Sequence, residues 1–183
     1  MSCEILPVCE VRAILERGAV FERLREFDPR WVGSTPLDIH GPGADADIAC
    51  SAGPDLARFR TALRDTFFAE GAEVADNIHA GEPSVIARLE LEGMPVEIFG
   101  RARPVETHES YIHWYAEHRL LTLAEDRLRR DVRDAKASGL KTEPAFAAVL
   151  GLGGDPFVEI LKLASPSDTA LCQLIDRAGY RPR

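Results

Sequence analysis

The sequence predicts an α/β (α+β) protein in which a strand-rich first part is followed by a helical second part. Three observations carry this. Short segments alternating apolar and polar residues crowd residues 30–100, helical spacing of apolar residues takes over from Thr107, and Gly- or Pro-containing turns separate most segments. At 183 residues the chain is long enough to bury a core and too short for two independent domains. We expect an α/β core over 1–105 and a helical part over 106–183 packed on it.

Taken in order, residues 9–27 set Val11, Ile14, Leu15, Phe21 and Leu24 at helical spacing, interrupted by Gly18, which gives one broken helix or two short ones. RWVG (30–33) is a short strand ending at Gly33-Ser34. Leu37-Asp38-Ile39-His40 alternates like a strand before Gly41-Pro42-Gly43 forces a turn, and DADIACS (45–51) forms the next strand. Residues 54–70 form a helix that opens at a proline and carries Leu56, Phe59, Ala62, Leu63 and Phe67 on the face that covers the sheet. SVIARLELEG and MPVEIFG, joined at Gly93-Met94, form a hairpin rich in β-formers. A helical run then passes through Tyr111, Trp114, Tyr115, His118 and Leu121 to Ala135 and stops at Ser138-Gly139. A further helix begins near Glu143-Pro144, breaks at Gly151 to Gly154 and resumes from Asp155-Pro156 to Leu163, and a last helix follows Ser165.

Composition narrows the function classes. Hydrophobic residues make up 45% and charged residues 28% of the chain, the balance of a folded protein. The net charge of −8 argues against an extended nucleic-acid surface, because phosphate affinity comes from clustered Lys and Arg. Residues 1–100 hold 18 acids against 9 bases, so the acidic excess belongs to the strand-rich part. Cys3, Cys9, Cys50 and Cys172 are scattered without zinc spacing or a disulfide framework. The N-terminal segment lacks a basic leader and a long apolar run, and no segment reaches transmembrane length, so we expect a cytoplasmic protein with no membrane partner.

The chemistry concentrates in a few acids. Residues two apart in a strand share a face, so Asp45 and Asp47 aim together. Adjacent carboxylates repel unless a cation lies between them or one is protonated. Glu97, between Val96 and Ile98, completes the set if its strand lies beside the first. Mg2+ suits such a set, since it takes a few carboxylates plus substrate phosphate oxygens. At Gly33-Ser34, glycine admits a close ligand, and backbone amides with the hydroxyl suit phosphate oxygens.

The order Gly-Ser, about ten residues, Asp45-Ala46-Asp47-Ile48, then Val96-Glu97-Ile98, resembles the signature of the polymerase-β-type nucleotidyltransferase superfamily. The segments EHRLLTL, GLKTEPAFA and GDPF further resemble a bacterial nucleotidyltransferase-like family of unknown function. The resemblance implies a small mixed sheet of the nucleotidyltransferase type with covering helices. It also implies metal coordination by Asp45, Asp47 and Glu97 with room for two Mg2+ ions, and nucleotide phosphates at Gly33 and Ser34. The linker TPLDIHGPGA departs from it, standing where many members have a helix after Gly-Ser.

Other polar residues have weaker claims. Arg101 and Arg103, directly after the Glu97 strand, and Arg119 and Lys141 are candidate phosphate contacts. Tyr111, His113, Trp114, Glu117 and His118 either line a pocket or form a core face with polar tips; Trp114, Tyr115 and Leu121 are assigned to the core. Asp38 reads as a turn acid and His40 as an exposed side chain. Arg127, Arg129, Arg130, Arg133 and Lys136 alternate with acids and read as a solvated, salt-bridged helix face. The expected function is Mg2+-dependent transfer of a nucleotidyl group from a nucleoside triphosphate to an acceptor that the residues do not specify. The alternatives are a catalytically silent nucleotide- or partner-binding protein of the same fold, and a metal-dependent phosphohydrolase that uses water.

Overall fold

The computed structural model describes residues 5–79 and 81–183; residues 1–4, with Cys3 and the opening of the N-terminal segment, lie outside the described residues. The chain forms two compact units. One comprises residues up to Thr35 together with Pro42–Tyr111, and the other Pro36–Gly41 together with Ile112–Arg183.

The first unit is a five-stranded mixed sheet of order β1-β2-β5-β4-β3, built from β1 (Arg30–Val32), β2 (Ala46–Ser51), β3 (Glu73–His79), β4 (Glu82–Leu91) and β5 (Met94–Arg101). β2 and β5 are parallel, and the other pairs are antiparallel. One face is apolar: Ala46, Ile48 and Cys50 of β2, Val96 and Ile98 of β5, and Val85, Ala87 and Leu89 of β4 are buried in a single core. That core is closed by Val11, Ile14 and Leu15 of α1 (Val8–Arg17), Val20 of α2 (Val20–Arg23), and Phe59 and Leu63 of α3 (Leu56–Thr66). Gly18 and left-handed Ala19 (φ 49°) separate α1 from α2, so of the two expected forms the segment takes that of two short helices. Asp55 caps α3, its side chain accepting from the Arg58 amide at 3.0 Å.

Gly100 sets how closely α3 lies on β5, since a Cβ there would overlap the Phe59 ring. Glu92 (φ 51°) and Gly93 (φ 81°) make the two-residue hairpin turn whose backbone twist suits its strands. β3 is an addition to the expected elements. Its pairing with β4 makes it a strand, and only Val74 is even partly buried, so it lacks the apolar alternation that marks strands in sequence.

The second unit is helical: α4 (Glu109–Leu123, whose first turn falls in the first unit), α5 (Asp126–Ala137), α6 (Thr142–Leu150), α7 (Pro156–Lys162) and α8 (Asp168–Arg177). Its core joins Ala116, Leu120, Leu128, Val132, Phe146, Ile160, Leu171 and Ile175. The expected single run from Tyr111 to Ala135 is two helices, parted at Ala124-Glu125, where Ala124 bridges Pro182. Gly151 ends α6 in the left-handed conformation (φ 65°), and Asp155 caps α7, accepting from the Phe157 amide at 2.9 Å.

The expected strand at Leu37–His40 is a turn instead. Leu37 and Ile39 are buried in the helical core, and Asp38 is left-handed (φ 56°). Arg129 donates to the Leu37 carbonyl, while Arg133 donates to the Asp38 carbonyl at 2.6 Å and pairs with its carboxylate. These two arginines of α5 thus anchor the turn instead of lying on a purely solvated face. His40 is buried, not exposed, and Tyr115 is 41% exposed, so it is not a core residue. No helix among the described residues is long and apolar enough to cross a membrane.

Candidate functional site

The face of the sheet opposite the apolar core carries the charges. β2 and β5 run parallel with Asp47 opposite Glu97, and β4 sets Arg88 opposite Glu97 and Glu73 of β3 opposite Arg88. Paired residues share a face. Asp47, Glu97, Arg88 and Glu73 therefore form one row across four strands. Apolar neighbours on each strand turn to the core, which is why the acids point away from it.

Gly33 sits at the Asp47 end of this row. Its backbone is left-handed (φ 75°), and a Cβ there would overlap the Asp47 carboxylate, so only glycine brings the Gly33-Ser34 backbone this close to that acid. Trp31 Nε1 donates to Thr35 Oγ1 at 2.9 Å and fixes the turn that follows. Asp45 stands exposed one residue before β2, whereas Asp47 is half-buried within it. Glu97 forms an ion pair with Arg88 at 2.9 Å, its side chain 28% exposed against 61% for the arginine.

Among the described residues no three His, Cys, Asp or Glu side chains gather as a ready-made metal cage. The structure brings Asp47 and Glu97 together as strand neighbours, with Asp45 at the strand's entrance. Hard carboxylate donors in a pair fit Mg2+, which commonly takes one or two carboxylates and fills its octahedron with water and substrate phosphate.

Three of the remaining predicted phosphate contacts, Arg101, Arg103 and Arg119, are engaged by other side chains. Arg101, four residues along β5 from Glu97, is buried and pairs with Glu109 at 2.6 Å and Glu82 at 3.4 Å. Arg103 pairs with the same two acids, at 3.0 Å to Glu82 and 2.8 Å to Glu109. Burial alone would push the Glu109 carboxyl up, but its own backbone amide and the guanidiniums of Arg103 and Arg101 outweigh burial and hold it at about 2. Beside them, burial lowers the pKa of His108, whose Nε2 lies 3.1 Å from the Arg103 carbonyl.

In the second unit, Arg119 donates to the carbonyls of Ala164 (2.9 Å) and Pro166 (2.7 Å) and pairs with Asp168 at 2.6 Å. Lys141 is exposed at the start of α6. His113 contacts the Phe157 carbonyl (2.9 Å) and Glu143 (3.2 Å), and Glu117 is fully buried with Oε1 lacking a hydrogen-bond partner. Burial, reinforced by Glu143, raises the Glu117 pKa well above the usual carboxylate range.

Arg88 and Glu73 are the members of the row that the sequence reading did not single out. The signal for Arg88 was present: a two-residue turn at Glu92-Gly93 sets Leu91 opposite Met94 and, counting back, Arg88 opposite Glu97. Glu73 had no such signal, because its strand is recognisable only from its partner.

A family model for a domain of unknown function, DUF4269, matches residues 13–163. The chain belongs to that family. No curated protein matches it. Among solved structures, its fold is similar to that of the Cid1 poly(U) polymerase in a complex with MgGTP, with a TM-score of 0.60 at 15% identity over 81% of this chain and 51% of that one. A structure of Cid1 described as an RNA terminal uridylyl transferase gives a TM-score of 0.58 at 15% identity, over 81% and 49% of the two chains. A cytoplasmic RNA terminal U-transferase gives 0.55 at 16% identity, over 78% and 45%. The chain therefore has a nucleotidyltransferase-like fold and spans about half the length of these proteins.

Proposed function

We propose that this DUF4269 protein is a Mg2+-dependent nucleotidyltransferase that uses a nucleoside triphosphate. The observation that carries the reading is the Asp47–Glu97 pair on adjacent parallel strands, facing away from the core, with Gly33 against the Asp47 carboxylate. Asp47 and Glu97 would hold the ion, and Asp45, which does not gather with them in the structure, would join from the entrance of β2 once the ion is bound. The amides and hydroxyl of Gly33-Ser34 take the terminal phosphates of the nucleotide. Bound Mg2+ supplies charge neutralisation at the transferring phosphoryl group. A bond forms between an acceptor oxygen and the α-phosphorus, the α–β anhydride bond breaks, and pyrophosphate leaves. Glu97, at the far side of the pair from Gly33, orients the acceptor hydroxyl and takes its proton.

With Mg2+ and radiolabelled nucleoside triphosphates, the wild-type protein should bind at least one, and Asp45→Asn combined with Asp47→Asn should abolish the metal-linked part. Equal binding by the double variant overturns the reading. One observation favours a second reading, a silent nucleotide-binding protein of the same fold: a guanidinium already neutralises Glu97. Nucleotide binding without pyrophosphate release in the presence of candidate acceptors would favour that alternative.

A further inference from the structure

Arg88 lies at the same level of the sheet as Glu97 on one side and Glu73 on the other, and its guanidinium sits on Glu97 at 2.9 Å. Strands are spaced about 4.8 Å apart, so one long, exposed side chain reaches either acid without moving its backbone. A divalent ion at the Asp47–Glu97 pair and the Arg88 guanidinium compete for the same carboxylate. Both cannot hold it fully, because two cations at one carboxylate repel each other at close range.

We propose that Arg88 is the exchangeable counter-ion of the metal site, yielding Glu97 to the metal and passing to Glu73 when the metal binds. This rests on the reading of Asp47 and Glu97 as metal ligands. Arg88 thereby acts as a positioning residue: it holds Glu97 along the sheet face, and it weakens metal binding enough that the ion is held firmly only once nucleotide phosphates add their oxygens. Glu73 has a defined part in this exchange as the second seat. An arginine suits the role because it never loses its charge and swaps one carboxylate for another through the same planar fork.

The test is Mn2+ binding to the full chain, followed by electron paramagnetic resonance without nucleotide, with far-UV circular dichroism as a check on folding. Arg88→Gln should tighten Mn2+ binding about three- to tenfold, in line with the loss of an exposed ion pair and of one repelling charge. Arg88→Lys, which keeps the charge, should stay near wild type. Glu73→Gln should weaken binding about twofold in the wild-type background and have no effect in Arg88→Gln, a coupling that a purely structural role for either residue would not produce. Unchanged or weaker Mn2+ binding by Arg88→Gln, with Asp47→Asn and Glu97→Gln both impaired, overturns the counter-ion role and leaves the metal site standing. If Asp47→Asn and Glu97→Gln bind Mn2+ as wild type does, the metal-site reading itself falls.

Discussion

Asp47, Glu97 and Arg88 occupy one level of the sheet's charged face, and Arg101 occupies another, four residues further along β5. At the Arg101 end, two guanidiniums meet two carboxylates, and the Arg101 side chain is only 2% exposed. At the Asp47 end, the row holds three acids and one arginine, and that arginine is 61% exposed. Arg101 is buried, and the partly exposed carboxylates of Glu109 and Glu82 balance its charge. Along the row, the one guanidinium stays open to water. Burial thus separates an arginine locked into the fold from one that remains open to solvent.

The largest effect should come from breaking the balanced end. Arg101→Met leaves Glu109 and Glu82, both partly exposed, with one arginine between them and should cost about 2–3 kcal/mol, measured by urea unfolding. A loss below about 1 kcal/mol would mean that the cluster is not structural. Gly100→Ala presses a methyl group into the Phe59 ring and should cost about 1–3 kcal/mol by the same measurement, without altering the charged row on the opposite face.

Acid titration sharpens the contrast further. Glu109, held at about 2, contributes stability that is full above its unfolded value and is lost as pH falls through about 2. Burial and Glu143, only partly offset by Lys136, raise the Glu117 pKa, which gives the opposite sign: its contribution is full below the unfolded carboxylate value and is lost as pH rises through the folded one. Glu117→Gln should therefore flatten the decline in stability toward alkaline pH, and Glu109→Gln the decline toward acid, in thermal melts across pH. The smallest effect belongs to the exposed arginine of the row, where Arg88→Gln should change folding stability by less than about 1 kcal/mol. A large destabilisation would make that pair structural too.

Elements with a clear apolar period were legible in the sequence: β2, the β4–β5 hairpin, α3 and most of the helical unit. β3 was not, because an edge strand with exposed side chains owes its conformation to its neighbour. Leu37 and Ile39 alternate with polar residues as a strand would, but arginines of α5 and the helical core hold them in a turn. The acids of the candidate site were legible from two-residue spacing and their apolar flanks, and the parallel pairing of β2 with β5 sets Asp47 beside Glu97. The fate of the arginines was not legible. Arg101 and Arg119 are engaged by Glu109 and by the Ala164 and Pro166 carbonyls, partners eight to 47 residues away in sequence. Spacing along the chain does not reveal such long-range neutralisation.

The most direct test of the carboxylate pair is a crystal soaked with Mn2+ and a non-hydrolysable nucleoside triphosphate, with the ion located by its anomalous scattering. The account predicts an ion between the Asp47 and Glu97 carboxylates, phosphate oxygens at Gly33-Ser34, and Arg88 moved off Glu97 toward Glu73. Nucleotide and ion bound elsewhere, with Arg88 still seated on Glu97, would contradict it.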